Sequence, residues 1–272
     1  MLPDNPLSFT ARIDSDSLPI AELATLSLSA LLWLVLFEGW LPDLGPAPAE
    51  LEAPMAAPGV PEAMATANGL SGTVAYLLMW GTMMLAMMLP SLIPVVRQHL
   101  DDVCQNPSVA VPSIAGFLGG YGLVWTAIGA VPLAVELLVS IHEFSTASAF
   151  GLGAGVVPIA GLLAFAGGYQ LTPFKRRLLS RCASCQSIPH CPNVNRMVRR
   201  GISYATNCVA CTWPLFALMV ALGSMNFLVM VGLTLVVSIE RLTPDGERVA
   251  FAMGVLLIGA AVFSLLFGVP AV

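Results

Sequence analysis

The chain has 272 residues, of which 57% are hydrophobic and only 10% are charged, and its mean hydropathy is +0.84. Soluble domains carry about 25% charged residues, so this composition excludes a soluble globular domain and indicates an integral membrane protein. The net charge is −5, and we expect no nucleic-acid partner. The shortage of polar tracts favours one helix bundle without a separate soluble domain.

The first predicted region is residues 1–69, which contain one membrane span and one loop. Residues 20–41 are apolar over 22 positions, which is long enough to cross a bilayer. A signal peptide cleaved near residues 47–49 is the alternative, but the basic segment that should precede it is missing, so a signal anchor is favoured. Residues 42–69 are rich in Pro and Ala, with four acidic and no basic residues, and they predict an irregular exposed outer loop.

The second predicted region, residues 70–272, holds the other spans and the candidate metal ligands. Its first three apolar segments are residues 70–96, 114–141 and 151–172. Pro90 and Pro94 are expected to kink the last turns of the first segment. Glu136 lies inside the second, and a carboxylate within a span is costly and marks a pathway or a buried partner. Glu136 is therefore a candidate for an ion or proton pathway.

The later apolar sequence is too long for one helix. Residues 202–240 are apolar over 39 positions, whereas one crossing takes about 20. We predict a break at residues 223–226, which gives spans at 202–222 and 225–239, followed by a last span at 249–267. The prediction is an all-α polytopic membrane helix bundle with about seven transmembrane helices, and six is the alternative.

Basic residues predict the orientation, because short loops rich in Lys and Arg stay in the cytoplasm. With seven spans, Arg97, the seven basic residues of 175–200, Arg241 and Arg248 all fall on one side. Six spans would place Arg241 and Arg248 outside. We therefore expect a multi-pass protein of the cytoplasmic (inner) membrane, surrounded by the lipid bilayer, with its N-terminus in the cytoplasm.

A cysteine-rich loop is predicted at residues 174–201. It contains a Cys-x2-Cys-x5-Cys pattern, and a second Cys-x2-Cys begins the next apolar run. Short x2 turns bring both sulfurs to one side, so these thiolates can converge on one soft metal ion, Cu(I) or zinc. The alternatives are a structural zinc site and ordinary free thiols, while the reducing cytoplasm argues against disulfides. The candidate ligands are Cys182, Cys185, Cys191, Cys208 and Cys211.

Methionines form the second group of candidate ligands. Five of them lie within ten residues and fall into two adjacent stripes at helical spacing. Another shares a helix face with Cys208, Cys211 and Leu215. Thioether sulfur is a soft, neutral ligand for Cu(I) that hydrocarbon tolerates, although Met is also an adaptable core filler. These candidates are Met79, Met83, Met84, Met87, Met88 and Met219.

Three sequence blocks carry a family resemblance: MWGTMMLAMMLPSLIP at 79–94, GGYQLTPFK at 167–175 and CVACTWPLFALMVALGSMN at 208–226, followed by Glu240-Arg241. They resemble a bacterial family of predicted metal-binding integral membrane proteins, long carried as a domain of unknown function. That family includes copper chaperones associated with tyrosinase-type polyphenol oxidases. The resemblance covers about residues 70–268 and implies binding of a metal, with copper favoured, and a copper-dependent oxidase as partner.

The chain departs from the family pattern in its cysteines. That pattern has a Cys three residues after Lys175, where this chain has Leu178, and another four residues beyond, which is Cys182 here. Cys185 and Cys191 are additions, so the ligand geometry is expected to differ even where the role is kept.

The predicted function is binding of Cu(I) at the cytoplasmic side and delivery of copper to a cuproenzyme, without enzymatic activity. A thiol–disulfide oxidoreductase and a structural subunit of a membrane complex with bound zinc are the alternatives. The oxidoreductase would need cysteine pairs facing an oxidising compartment, whereas the basic residues place these pairs on the reducing side.

Overall fold

The protein is represented by a computed structural model, which describes residues 18–48, 53–103, 107–141, 148–149, 152–153, 156–183 and 194–268. For residues 18–21, 99–103, 107–109, 148–149, 152–153 and 182–183 the backbone alone is described. This part of the chain is helical apart from one antiparallel pairing of Ser148–Ala149 with Leu152–Gly153. The predicted all-α class is confirmed.

Eleven α-helices run through the described residues, and a short 3₁₀ turn at Leu89–Leu92 joins the third to the fourth. In chain order they are α1 Leu18–Phe37, α2 Val60–Ala67, α3 Gly69–Met88, α4 Ile93–Val103, α5 Pro107–Ile128, α6 Ala130–Val139, α7 Val156–Gln170, α8 Pro173–Ala183, α9 Val194–Leu222, α10 Phe227–Leu242 and α11 Gly246–Phe267.

Four helical segments are long and apolar enough to cross a membrane, and α7 with α8 forms a fifth when this pair, bent by 63°, is taken as one span. A shorter apolar helix lies at Glu22–Phe37. Helices occupy all seven predicted positions, but the count of seven spans stays a prediction. The four segments are Gly69–Gln98, Ala110–Val139, Val194–Leu222 and Gly246–Phe267.

The predicted break at residues 223–226 is confirmed, while at Pro90 the structure shows a 3₁₀ turn within the span Gly69–Gln98. Helix α9 ends at Leu222, and Gly223 follows with φ +110°, a conformation that glycine adopts without strain. The Asn226 side chain then accepts hydrogen bonds from the backbone N–H groups of Leu228 and Val229, at 3.1 and 3.3 Å, and so caps α10. Near Pro90 the α-helix gives way to the 3₁₀ turn, because proline has no N–H to continue the ladder.

Two predicted loops are partly wrong. The segment 42–69 contains the buried helix α2, which begins with Pro61 in its first turn and turns Ala63 and Ala65 inward. The predicted loop 174–201 is helical at both ends, in α8 and at the start of α9. Thr172 Oγ1 accepts from the backbone N–H of Lys175 at 3.2 Å, and a proline follows the threonine, which together start α8.

The bundle is built around α3 and α9. Helix α3 packs against α1, α2, α5 and α10, while α9 packs along α5. Glycine makes the α5–α9 contact close: a Cβ on Gly201 would lie 2.1 Å from the carbonyl oxygen of Phe117, and one on Gly120 would lie 2.2 Å from that of Val198. Small residues that let backbones approach are typical of helix contacts in membranes.

The outside of the bundle is unusually apolar. Large hydrophobic side chains stay exposed on several helices, among them Leu138 at 84%, Leu70 at 81% and Leu266 at 70% exposure. Apolar outer surfaces of this extent are not typical of soluble monomers, and they match the hydrocarbon of a bilayer.

Candidate metal centre

Cys208 lies in the middle of α9 and is fully buried. Two polar groups from other helices meet its sulfur. Arg241 Nη2 of α10 donates to Cys208 Sγ at 2.9 Å, and the hydroxyl oxygen of Tyr121, on α5, lies 3.1 Å from the same sulfur. Three helices therefore converge on one cysteine that is 87 residues from the tyrosine and 33 from the arginine.

This surrounding suits a cysteine that binds metal. The thiolate is the form of Cys that acts as a metal ligand, and positive charge beside the sulfur is complementary to it. A buried charge is tolerated only when it is paired or hydrogen-bonded. Arg241 supplies a positive charge beside the sulfur, and Tyr121 supplies a second polar contact.

The methionines of α3 belong to the same core. Met83, Met84, Met87 and Met88 are each fully buried and lie in one hydrophobic cluster with Cys208. Both predicted stripes are buried because α1, α5 and α10 surround this helix. Met79 is partly buried and packs against the cluster, and Met219 of α9 is fully buried within it.

Cys211 has a different environment. The face of α9 predicted to carry Cys208, Cys211, Leu215 and Met219 is buried at all four positions. However, Cys211 packs with Leu178 and Leu179 of α8 in a separate small cluster. The two thiols of this Cys-x2-Cys pair therefore belong to different hydrophobic clusters, although both are buried and neither is in a disulfide.

The three cysteines of the predicted loop lie at or beyond the edge of the described residues. Cys182 lies at the end of α8, one helical turn after Leu178, with its backbone alone described, and Cys185 and Cys191 lie outside the described residues. Across the part of the chain that the structure describes, no group of three or more His, Cys, Asp or Glu residues is placed to hold a metal ion. The zinc alternative thus gains no support from these residues.

The buried sulfur atoms of the cluster that contains Cys208 are of the kind that a soft, singly charged ion prefers. They comprise one cysteine sulfur and several thioethers, and soft sulfur ligands select Cu(I) over hard cations. Thioethers are neutral, so one thiolate is enough to balance the charge of Cu(I) in the apolar core. Glu136 is not part of this set: it is buried on α6, and its Oε2 accepts from the backbone N–H of Ile141 at 2.8 Å.

A buried ion pair beside Cys211 was not predicted. Lys175 Nζ lies 2.9 Å from Glu240 Oε2 and donates to the carbonyl oxygen of Cys211 at 3.0 Å. Gln170 Nε2 donates to Glu240 Oε1 at 2.7 Å. The cluster joins α7, α8, α9 and α10 next to the cysteines, and it was missed because Lys175 was counted as a loop charge.

Arg241 was also missed as a site residue, because its charge served only to predict orientation. The one sequence signal for both groups is that they fall in motifs that carry the resemblance: Lys175 ends GGYQLTPFK, and Glu240 precedes Arg241. Their charges lie inside these motifs. The basic residues that only indicate orientation lie in loops between motifs.

Comparison with known proteins gives one match. A family model described as PpoB2, copper chaperone, matches residues 77–264, which is more than half of the chain. The matched range includes the methionines of α3 from Met79 onward, as well as Lys175, Cys208 and Arg241. Neither the curated proteins nor the solved structures give a match. The resemblance inferred from the sequence is confirmed, and the chain belongs to the PpoB2 copper chaperone family.

Proposed function

We propose that this protein is a membrane-embedded Cu(I) chaperone. It takes up copper through cysteines at the cytoplasmic end of the bundle and passes it to the methionine-lined core, for delivery to a copper-dependent enzyme. The family match supports copper as the cargo. The observation that carries the ligand assignment is the burial of Cys208, Met219 and four methionines of α3 in one core cluster.

Charge balance supports Cys208 as the anchoring ligand. Without metal, Arg241 is the counter-charge next to the sulfur. Cu(I) carries the same single positive charge as Arg241, so a metal ion on the Cys208 sulfur repels the guanidinium and displaces its contact. A contact that metal entry displaces makes binding reversible, which a chaperone needs and a closed four-ligand zinc site does not provide.

The other cysteines are proposed to act at the entry. In the sequence, Cys182, Cys185 and Cys191 come after the basic residues Arg176, Arg177 and Arg181, and nearby positive charge favours metal-binding thiolates. Cys211 lies between α8 and the core, where it packs with Leu178. This arrangement supports transfer from the loop inward.

The experiment that tests the proposal is a Cu(I) titration of the purified protein in detergent, against a competing soft chelator. We expect uptake of about one Cu(I) per chain, and removal of the metal without unfolding, because helix packing already holds the bundle. Protein that carries zinc, refuses to exchange it for Cu(I) and unfolds on chelation would instead establish the structural zinc alternative.

The methionine stripe gives a second prediction. Changing Met83 and Met87 to Leu should lower copper transfer to an acceptor oxidase, because thioether ligands are lost while side-chain volume is kept. Stability should fall by less than about 1.5 kcal/mol. The matched control is Met55→Leu with Met253→Leu, since neither residue belongs to the core cluster. Equal copper transfer in the two double variants would show that Met83 and Met87 only fill the core and do not bind copper.

Orientation in the membrane gives a third prediction. Reporter fusions should place the chain near Arg199 in the cytoplasm and the chain near Ala56 outside it, because the seven basic residues of 175–200 favour retention in the cytoplasm. An alkaline phosphatase and a fluorescent-protein fusion at each position give opposite signals on the two sides. A fusion at residue 199 that reports the outer side would reverse the orientation and revive the oxidoreductase alternative.

A delivery role rests on the family being one of chaperones, which favours a non-enzymatic protein that serves a copper-dependent partner. A tyrosinase-type polyphenol oxidase is the proposed recipient. The oxidoreductase alternative requires a cysteine pair that faces an oxidising compartment, and the reporter fusions test this requirement.

A further inference from the structure

A second polar cluster lies at the end of the bundle where α9 turns into α10. Its centre is Glu62 of α2, which is fully buried. The hydroxyl of Tyr76 on α3 donates to Glu62 Oε1 at 2.7 Å. Glu62 Oε2 and the fully buried Ser224 Oγ have no hydrogen bond of full geometry among the described residues, but the Ser224 hydroxyl faces this carboxyl from the α9–α10 turn closely enough to lower the pKa of Glu62.

The charge acting on Glu62 is that of another carboxyl group. Helix α2 packs against α3 and α6, and the titratable groups that face Glu62 from them are Tyr76 and Glu136. Burial raises the pKa of Glu62 above its ordinary value, the hydrogen bond from Tyr76 opposes this rise, and the Glu136 carboxylate adds to it. Two buried carboxyl groups near each other are not readily ionised together.

We propose that Glu62 and Glu136 form a proton-exchange site under the helix α2, with Glu62 as the residue that carries the proton. The unpartnered Oε2 is the oxygen that holds it, Ser224 Oγ is the adjacent acceptor, and Tyr76 fixes Oε1. When Glu62 releases the proton, Oε2 gives it to water at the end of the bundle and Glu62 becomes a carboxylate, a step that the nearby Glu136 carboxylate opposes by charge repulsion. No oxidant or other reactant takes part.

The position of α2 favours exchange over a permanently closed site. This helix has only eight residues and lies outside the candidate spans, which distinguishes Glu62 from a carboxyl group in the middle of a membrane-spanning helix. The segment before it reaches the α9–α10 turn, where a Cβ on Gly223 would lie 2.1 Å from the carbonyl oxygen of Ala56. The Tyr76 ring stacks on Trp80, at 5.9 Å between centroids, so the site adjoins the core. The inference does not depend on the copper assignment.

Infrared spectroscopy of the purified full-length protein tests the site, because a protonated buried carboxyl has a carbonyl band that ionisation removes. We expect a band that persists above the pH at which exposed glutamates ionise, about 4.3. Glu62→Gln should remove this band, Glu136→Gln should shift its loss to lower pH, and Tyr76→Phe should shift it to higher pH. Glu247→Gln, on an exposed residue of α11, should leave it unchanged.

The pH dependence of unfolding gives a second readout. Since the pKa of Glu62 is raised in the folded protein, its stabilisation is complete below the unfolded value of about 4.3 and is lost as pH rises through the folded pKa. Glu62→Gln resembles the protonated acid, so the stability of this variant should no longer fall as pH rises through the folded pKa of Glu62.

A carbonyl band that survives in Glu62→Gln would overturn the proposal. So would a band removed by added Ca²⁺ or Mg²⁺ at constant pH, which would indicate a cation site. If Glu62→Gln does not fold, the shift in Glu136→Gln decides the question alone.

Discussion

Replacing Cys208 with Ser should lower the affinity of the protein for Cu(I) by more than about 100-fold, the upper end of what losing a supporting residue costs a metal site. A serine hydroxyl keeps a polar atom beside Arg241 and Tyr121 but lacks the soft, anionic sulfur that Cu(I) prefers. Both contacts can form to oxygen, but serine gives Arg241 no anionic partner, so unfolding of the variant is measured beside its copper affinity. Titration of wild type and variant against one competing chelator gives the two affinities directly.

Cys211→Ser is the matched variant, because Cys211 is on the same helix and equally buried, yet belongs to another cluster. A loss as large as that of Cys208→Ser would indicate one shared site, while a clearly smaller loss would place Cys211 on the entry route. Unchanged affinity in Cys208→Ser, together with a large loss in Cys182→Ser, would move the binding site from the core to the loop and contradict the role of Arg241.

Local sequence signals predicted the features that depend on nearby residues. The methionine spacing follows the helical repeat, so both stripes could be assigned to faces of one helix, and the structure buries both. The break at residues 223–226 followed from the length of one membrane crossing, and glycine and asparagine supplied its turn and cap. These features can be predicted without knowing which helices pack against each other.

Features that depend on helix neighbours were not predictable from one sequence. The contacts of Cys208 come from α5 and α10. The sequence around Cys208-x2-Cys211 does not indicate that Tyr121 and Arg241 are its neighbours. The x2 spacing predicts convergence in a loop, but both cysteines lie on α9, where Cys208 packs in the main core and Cys211 packs against Leu178 and Leu179 of α8. Helix α2 was missed because its Pro and Ala content resembles a loop, and its burial results from packing on α3 and α6.

Breaking the buried pair of Lys175 and Glu240 should have the largest effect on stability. We expect Lys175→Met to cost about 3–5 kcal/mol in the free energy of unfolding, because the Glu240 carboxylate is then left charged and buried with only Gln170 donating to it. Lys175 also donates to the carbonyl oxygen of Cys211, so the variant removes a second contact between α8 and α9. Denaturant unfolding of purified protein in detergent measures the loss. Arg176→Met, on the exposed neighbour, is the control and should change stability little.

The double variant Lys175→Met with Glu240→Gln separates a charge effect from a packing effect. Glutamine keeps an oxygen for Gln170 but has no charge to leave unbalanced, so the double variant should recover most of the stability that Lys175→Met loses. Failure to recover would mean that the lysine acts through its own packing and its bond to Cys211, not through the ion pair. In either case the position of Cys211 depends on this cluster, so Cu(I) uptake by the two variants tests whether an ordered α8–α9 contact is needed for copper entry.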